Sequence, residues 1–464
     1  MSDKKEFRVD NKKVLVIGAG LSGRAAAQFL AGKGAKVTLT DSKTAEELEG
    51  LAAIAGVELL LGRMPEAKEA AEFDLAVISP GVPLSIPLAA DLQQAGVPLI
   101  GELELAWQFS HNPYLAITGT NGKTTTTTLL GYILEQAGQQ PLVGGNIGTP
   151  LVNAVEGLRP GENIVAELSS FQLETAGDFH AHIAAFLNLT PDHLYRHGTM
   201  ENYGAIKAKI FAHQTAADYA VLNYDDELVR AWGDKLAGTV VFFGRQPGDE
   251  AQIKQGMVLI DGEVRWRWQG KEQRLLRAEE ILIKGPHNLE NAMAAAAMAL
   301  LAGIDREVVA AALRSFPGVE HRQEPVGEFG GVLYVNDSKG TNPDSTIMAL
   351  AACTRPTVLI LGGFEKNSDF SPLLPLIREK VKHIVLVGQT AERIGETLAA
   401  GGFRDFENAG LDFAKCVRLA AAAAEPGDEV LLSPASASWG MFNNFEERGE
   451  MFKRLVREIG AELT

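Results

Sequence analysis

Short apolar runs alternate with amphipathic stretches along the first hundred residues of the chain. The runs at residues 13–18 (KVLVIG), 36–41 (KVTLTD), 74–79 (DLAVIS) and 97–102 are typical of buried strands, and a helical pattern covers residues 24–33. Continuous apolar strands that alternate with helices are characteristic of sheets covered on both faces. This part of the chain therefore predicts a parallel, doubly wound sheet.

The same alternation continues through the rest of the chain. A strand at residues 114–118 leads into a helix that ends near residue 135, and Asp261-Gly262 predicts the turn of a hairpin over residues 257–268. An alanine-rich helix begins near Leu289. Further strands are predicted at residues 163–167, 184–189, 219–222, 333–336, 357–362, 383–388 and 429–433.

Length and pattern together predict the domain organisation. The chain has 464 residues, which at roughly 150 residues per domain corresponds to about three domains. Motifs and strand spacing place them at residues 1–105, 106–317 and 318–464. The predicted fold class is α/β, with mainly parallel sheets.

Composition excludes several classes of protein. The net charge is −16 and no long basic run is present, which argues against binding to nucleic-acid backbones. The only cysteines, Cys353 and Cys416, cannot form a disulfide framework. Residues 1–13 lack the apolar core of a signal peptide, and the apolar stretch at residues 292–304 is too short to span a bilayer. We expect a cytoplasmic protein with no membrane insertion.

Glycine is in excess, with 48 residues of 464, and one glycine cluster predicts a phosphate site. Residues 118–124 (TGTNGKT) follow a strand and precede a helix, so backbone N–H groups would converge on a phosphate at the helix N-terminus. Lys123 would reach the β- and γ-phosphates, and Thr124 would bind Mg²⁺. Ile117 stands where a generic phosphate loop has glycine, and a flexible turn without ligand is the alternative.

Another glycine cluster, which is the first in chain order and is called the first glycine cluster or loop, lies near the start of the chain. Gly18, Gly20 and Gly23 fit the G-x-G-x-x-G pattern after a strand, and Asp41 ends the next strand. This pattern is typical of dinucleotide-binding folds, in which the acid binds a ribose hydroxyl. A structural turn with no ligand is the alternative.

Five further polar residues have ordinary interpretations alongside functional ones. Glu167 ends a predicted strand and either lies near a metal or is a polar terminus. His193 and His197 have the i, i+4 spacing of a zinc site, but Leu194 stands where a zinc protease has glutamate. Lys207, like its neighbour Lys209, is interpreted from the local pattern as part of a solvated helix face.

Several motifs together resemble the Mur ligase family. The phosphate loop, residues 166–173 (AELSSFQL), 188–194 (NLTPDHL), 287–291 (HNLEN) and His321-Arg322 carry this resemblance. Residues 336–342 (NDSKGTN) and 432–438 (LSPASAS), with Phe442, Phe445 and Arg448-Gly449, are similar to the members that add D-glutamate. That family's phosphate loop is shortened, which accounts for Ile117.

The resemblance implies a fold, a reaction and its partners. It implies an N-terminal Rossmann-like UDP-binding domain, a central ATPase domain and a C-terminal Rossmann-like domain. The implied enzyme uses ATP and two Mg²⁺ ions to join D-glutamate to UDP-N-acetylmuramoyl-L-alanine through an acyl phosphate, in cytoplasmic peptidoglycan precursor synthesis. We expect a monomer.

The resemblance also implies roles for individual residues. Catalysis would involve Lys123, Glu167, His193 and Lys207, and Lys207 would be carbamylated because a plain ammonium repels Mg²⁺. Thr124, Glu167, His193 and Lys207 would bind the metal ions. ATP would contact Gly119, Thr120, Asn121, Gly122, Lys123, Thr124, Thr125, Asn291, Arg322, Asp337 and Lys339; the UDP substrate Gly20, Leu21, Ser22, Asp41, Ser42 and Asn146; and D-glutamate Thr341, Lys366, Ser438 and Phe445.

Two positions depart from the pattern of the family, and two other functions remain open. Gly440 stands where aspartate is usual, and Phe364 where an acid is frequent, which bears on the geometry of the D-glutamate pocket. The first glycine cluster alone would suit an NAD-dependent oxidoreductase, and a nucleotide-binding sensor without catalysis is the other alternative.

Overall fold

The computed structural model describes residues 7–48, 53–246, 252–365 and 368–463. The chain forms two compact units, the first comprising Met1–Ile281 with Glu290–Ser315 and the second Leu282–Leu289 with Phe316–Thr464. This division into two units does not test the predicted boundaries between three domains, which stay a prediction. In the described ranges, no helix is both long and apolar enough to cross a membrane.

The first unit contains two sheets. The N-terminal sheet is parallel throughout. Parallel sheets are usually covered on both faces, which suits strands made of continuous apolar runs. In spatial order its strands are β3 (Val57–Leu61), β2 (Lys36–Asp41), β1 (Lys13–Ile17), β4 (Leu75–Ile78) and β5 (Leu99–Gly101).

The second sheet of this unit is parallel except at one edge, where the last strands form an antiparallel ribbon. In spatial order its strands are β14 (Lys271–Arg277), β13 (Glu263–Trp268), β12 (Gly256–Ile260), β11 (Thr239–Gly244), β10 (Tyr219–Asn223), β9 (Ile183–Phe186), β6 (Tyr114–Thr118), β8 (Ile164–Glu167) and β7 (Leu142–Gly145). The predicted hairpin at Asp261-Gly262 is the β12–β13 turn.

Helices cover these sheets, and one continuous apolar core joins the two. Leu103 and Leu105 lie in the same buried cluster as Val14 of β1 and Ala116 of β6. The helices of the first sheet are α1 (Leu21–Gly32), α2 (Ala67–Ala70), α3 (Pro87–Gln94) and α4 (Glu102–Phe109); they are followed by α5 (Lys123–Gln136), α6 (Leu151–Ala154), α7 (Ser170–Leu173), α8 (Leu194–His197), α9 (Met200–Ala208), α10 (Glu227–Arg230), α11 (Pro286–Leu301) and α12 (Arg306–Ser315).

The second unit is built on one six-stranded sheet. Only its first pair of strands is antiparallel, and apolar clusters cover both faces. In spatial order the strands are β15 (Glu324–Phe329), β16 (Val332–Asn336), β20 (Glu429–Leu432), β17 (Thr357–Leu361), β18 (Val381–Leu386) and β19 (Phe406–Asn408); the helices are α13 (Pro343–Ala352), α14 (Leu374–Lys380), α15 (Ala391–Ala400), α16 (Phe413–Ala423) and α17 (Phe445–Leu463).

The predicted α/β class is confirmed, while several strands were not predicted. Every strand predicted from an apolar run is present within a few residues of its expected position. The first helix begins at Leu21 rather than at residue 24, because Gly20 already has the extended N-cap conformation. The strands absent from the prediction are β3, β7, β11, β14, β15 and β19.

A buried carboxyl group lies at the start of α4. Glu102 is almost fully buried, and its Oε1 accepts the backbone N–H of Val152 at 2.9 Å. The Oε2 atom has no hydrogen-bond partner among the described residues. Burial raises the pKa of Glu102 to about 7, because the charged form loses hydration that the protein does not replace.

Replacing Glu102 with glutamine is expected to remove a pH-dependent part of the stability. Since the folded-state pKa lies above the unfolded one, the buried acid favours folding below about pH 4.5, and this contribution, on the order of 3 kcal/mol, is lost as the pH rises through about 7. The free energy of unfolding of Glu102→Gln should therefore increase relative to the parent from pH 5 to 7 and level off above. Denaturant unfolding at several pH values checks this, and a constant difference would contradict it.

Candidate active site

The phosphate loop connects β6 to α5 with the predicted strand–loop–helix geometry. Gly122 is the N-cap of α5 and has φ +81°, a conformation that a side chain disfavours. A Cβ atom there would lie 2.2 Å from Asn291 Oδ1. Asn291 in turn accepts a hydrogen bond from Thr126 Oγ1 at 3.3 Å. Both the backbone conformation and the close approach of Asn291 therefore favour glycine at position 122.

Two lysine side chains converge on one carbonyl of this loop. Lys123 Nζ donates to Gly119 O at 2.9 Å and to Thr120 O at 2.8 Å. Lys207 Nζ, from α9, donates to the same Gly119 O at 2.7 Å. Two amino groups at one carbonyl repel each other when both are charged, and a polyphosphate would relieve that repulsion.

Lys207 is buried, contrary to its interpretation as part of a solvated helix face. Its side chain is only 1% exposed and lies 4.7 Å from the ring centre of Tyr203. Burial, with a further contribution from Lys123, lowers the pKa of Lys207 well below its usual value. Both effects favour the neutral amine over the ammonium. Its neighbour Lys209 donates to Glu174 O at 2.8 Å.

Glu167 ends β8 directly beside β6, with Ile117 as its register partner. It is 2% exposed, and its Oε1 accepts a hydrogen bond from Asn146 Nδ2 at 2.8 Å. Its Oε2 is buried without a hydrogen-bond partner among the described residues, as is the Oγ1 of Thr125 in the first turn of α5. A buried carboxylate oxygen left open beside a phosphate loop fits a Mg²⁺ ligand.

Other residues of this site received no role from the sequence. Asn188 binds both backbone groups of Asn121, with Oδ1 accepting from its N–H at 2.8 Å and Nδ2 donating to its carbonyl at 3.1 Å. Thr120 Oγ1 donates to Thr190 O at 3.1 Å. The only sequence signal for Asn188 and Thr190 was their place in the NLTPDHL motif. This motif contributes side-chain and backbone hydrogen bonds to the phosphate loop.

His193 lies at the N-cap of α8, with φ +52° and its Nε2 3.4 Å from Asp192 Oδ2. His197, one turn later, is buried, and its Nε2 lies 3.0 Å from Ser170 Oγ. Within the described part of the chain, these two histidines join no third His, Cys, Asp or Glu in a group able to hold a metal. The buried contact of His197 with Ser170 accounts for its place one turn after His193.

The first glycine loop is held by the acid that was predicted to bind a ribose. Asp41 Oδ2 accepts the backbone N–H of Ala19 at 2.7 Å, and its Oδ1 accepts that of Lys43 at 3.0 Å. A Cβ at Gly23 would lie 1.8 Å from Gly18 O, so this glycine allows α1 to approach the loop. The predicted contact residues Gly20, Leu21 and Ser42 are exposed, and Ser22 is half-buried.

The second unit gathers several of the other predicted residues. Asp337, after β16, is fully buried; its Oδ1 accepts the N–H of Gln323 at 3.2 Å, and its Oδ2 accepts from Ser433 Oγ at 2.7 Å. Burial raises the pKa of Asp337 to about 6, opposed by the charge of Arg322. Lys339 Nζ lies 5.1 Å from the ring centre of Phe445.

A buried arginine supports the loops that carry Thr341 and Ser438. Arg448 Nη2 donates to Ser338 O at 2.7 Å, and Nη1 donates to Ser436 O at 3.1 Å. Its burial lowers its pKa to about 9. From the sequence, Arg448 had a place in a motif but no assigned role. The predicted D-glutamate contact at Lys366 lies outside the described residues.

One departure from the family pattern has a backbone explanation. Gly440 has φ +81°, so an aspartate in this backbone conformation would be strained. Phe364 packs edge-to-face on Trp439, with ring centres 5.7 Å apart. At position 364 an aromatic contact thus takes the place of the acid that is frequent in the family.

Comparison with known proteins assigns the family. Family models match as the MurD-like N-terminal domain of Mur ligases at residues 12–101, the Mur ligase middle domain at 117–299, and the Mur ligase glutamate ligase domain at 321–436. The UDP-N-acetylmuramoylalanine–D-glutamate ligase of Pelotomaculum thermopropionicum is 50% identical over 453 residues, covering 97% of this chain and 98% of that protein. The ligase of the same name from Alkaliphilus metalliredigens is 44% identical over 459 residues, covering 98% of this chain and 99% of that protein.

Solved structures show the same fold at low sequence identity. UDP-N-acetylmuramate-alanine ligase MurC from Thermotoga maritima has a TM-score of 0.59 and 20% identity, covering 97% of this chain and all of that one. MurF ligase from Thermotoga maritima in complex with ADP also has a TM-score of 0.59, with 17% identity, covering 99% of this chain and all of that one. The chain belongs to the Mur ligase family.

Proposed function

We propose that the protein is an ATP-dependent amide ligase that adds D-glutamate to UDP-N-acetylmuramoyl-L-alanine in peptidoglycan precursor synthesis. The observation that carries the proposal is the convergence of Lys123 and Lys207 on Gly119 O beside β8, which ends at the open carboxylate of Glu167. This arrangement suits a triphosphate and its metal. The names of the full-length relatives supply the amino acid and the UDP substrate; they are ligases, and give no support to an oxidoreductase or a sensor.

The residues fit an acyl-phosphate mechanism. The substrate carboxylate attacks the γ-phosphorus of ATP and releases ADP; the amine of D-glutamate then attacks the acyl carbon, loses a proton and expels phosphate. Bringing a carboxylate to a triphosphate opposes two anions, so placed cations are required. Lys123 and the loop amides would hold the phosphates. Mg²⁺, bound by Thr124, Glu167, His193 and a carbamate on Lys207, would supply electrostatic stabilisation of the transferred phosphoryl group.

The remaining predicted contacts complete the proposal. We assign ATP contacts to the phosphate loop with Thr125, Asn291, Arg322, Asp337 and Lys339, and UDP-substrate contacts to the first glycine loop with Asp41, Ser42 and Asn146. D-Glutamate would contact Thr341, Lys366, Ser438 and Phe445. The proposed enzyme is a cytoplasmic monomer that uses two Mg²⁺ ions.

Phosphate release from ATP tests the proposed reaction. We expect release only when UDP-N-acetylmuramoyl-L-alanine and D-glutamate are both present, because the acyl phosphate needs both an acid to form and an amine to consume it. Replacing D-glutamate with L-glutamate is the control, and equal rates would overturn the assignment. Release of phosphate without either substrate would favour a simple ATPase, and a change in nicotinamide fluorescence without phosphate release would favour the oxidoreductase.

A further inference from the structure

Arg196 uses its guanidinium to join two loops that lie far apart in the sequence. Its side chain is only 11% exposed. The Nη1 atom donates to Pro80 O at 3.0 Å, and Nη2 donates to Val82 O at 3.2 Å. The Nε and Nη2 atoms also donate to the two carboxylate oxygens of Glu174, at 3.0 and 2.6 Å. One planar group therefore makes bidentate contact on two sides.

On one side, Arg196 binds the loop that supports the first glycine cluster. This loop follows β4, and Ser79 Oγ donates to Gly18 O at 3.0 Å. A Cβ at Gly18 would lie 2.7 Å from Val82 Cγ2. The backbone held by Arg196 is therefore in direct contact with the loop to which we assign the UDP substrate.

On the other side, Arg196 belongs to the turn that carries His193. Its backbone N–H donates to His193 O at 3.0 Å, and its guanidinium lies 4.2 Å from the ring centre of Phe171, which itself contacts the His193 ring. Glu174 immediately follows α7, the helix after Glu167. Both ends of this contact therefore belong to the segments to which we assign the metal ions.

We propose that Arg196 is a positioning residue that couples the UDP-substrate loop to the ATP and metal site, an inference that rests on the ligase function proposed above. The ligase must hold one end of a long substrate at the first glycine loop and its reacting carboxylate at the γ-phosphate of ATP. A rigid connection between the two loops fixes that distance, and small misplacements of reacting groups are costly in rate. Arg196 touches neither nucleotide in this arrangement and acts through the loops it holds.

Binding measurements with each ligand alone and with both together test this coupling. In the parent protein, saturating UDP-N-acetylmuramoyl-L-alanine should tighten binding of a non-hydrolysable ATP analogue about fivefold or more, and the reverse titration should give the same factor. In Arg196→Lys, which keeps a positive charge but lacks the planar fork, each ligand alone should bind within threefold of the parent. The coupling factor should fall toward one, and kcat should fall at least tenfold with little change in KM.

Two further variants separate coupling from folding. Arg196→Met/Glu174→Met removes the buried carboxylate together with its partner, so it should fold and also lose the coupling. Arg267→Met removes an arginine that likewise bonds a glutamate and a backbone carbonyl, Glu272 and Ile253 O, but on the β12–β14 ribbon; it should keep the coupling.

Each outcome has a distinct meaning. A coupling factor near one in the parent, or an unchanged factor and kcat in both Arg196 variants, would overturn the role of Arg196. A merely structural defect would lower the active fraction and melting temperature without changing the ratio of dissociation constants. Intact coupling in a parent protein that forms no D-glutamate-dependent phosphate would instead refute the proposed function.

Discussion

Replacing Lys207 with alanine is expected to lower kcat by roughly 10²- to 10³-fold, the range typical for loss of one electrostatic group at a reacting centre. Lys207 is 1% exposed and its Nζ contacts Gly119 O. Because burial and the charge of Lys123 lower its pKa, the neutral amine can attack CO₂, forming an N–C bond and releasing a proton. The proposed carbamate would place an anion beside the phosphate loop.

Chemical rescue distinguishes the carbamate from a plain ammonium. If Lys207 acts as a carbamate, a short carboxylic acid should restore part of the activity of Lys207→Ala, and a short alkylamine should not. The matched control is Lys209→Ala, which removes a lysine that donates to Glu174 O from the next turn; no carboxylic acid should rescue it. Full activity of Lys207→Ala, or rescue by the amine alone, would contradict the carbamate.

The phosphate loop was predictable because its determinants are local. A strand, a glycine-rich turn and a lysine at the start of a helix are contiguous in residues 114–136, and α5 begins at Lys123 as that pattern requires. Three of the six missed strands lack such a pattern. β15 contains Pro325 and a register shift, β7 ends in two glycines, and β19 has three residues, so neighbouring strands rather than propensity specify them.

The contacts of the residues that support the site could not be predicted from local sequence pattern either, because their partners lie far away along the chain. The local sequence around Lys207 indicates a solvated face, but its partner Gly119 lies 88 positions away, and only family resemblance marked it. Asp41 was recognised as an acid after a strand, whereas its bonds to Ala19 and Lys43 appear only when β1 and β2 are paired. Sequence thus indicates which residues are chemically capable, and packing decides what each one contacts.

Replacing Glu167 with glutamine is expected to lower kcat/KM for ATP at least about 100-fold, because losing a metal ligand removes several kcal/mol of transition-state stabilisation. The substitution keeps the shape of the side chain and an oxygen able to accept from Asn146 Nδ2. It removes the negative charge and the open Oε2. Stability should respond in the opposite direction: in the absence of ligands the variant should melt at the same or a higher temperature, since a buried carboxylate oxygen without a partner is costly.

Steady-state rates at varied ATP check kcat/KM, and melting temperatures with and without Mg²⁺ and ADP check stability and metal binding. Mg²⁺ with ADP should raise the melting temperature of the parent more than that of Glu167→Gln, because a ligand stabilises the folded state in proportion to its affinity. Glu102→Gln is the matched control: it neutralises another buried glutamate with an open Oε2, but one that bonds Val152 in α6, and its response to Mg²⁺ should equal that of the parent. An undiminished response in Glu167→Gln would show that Glu167 binds no metal. The open oxygen would then lower stability without contributing to catalysis.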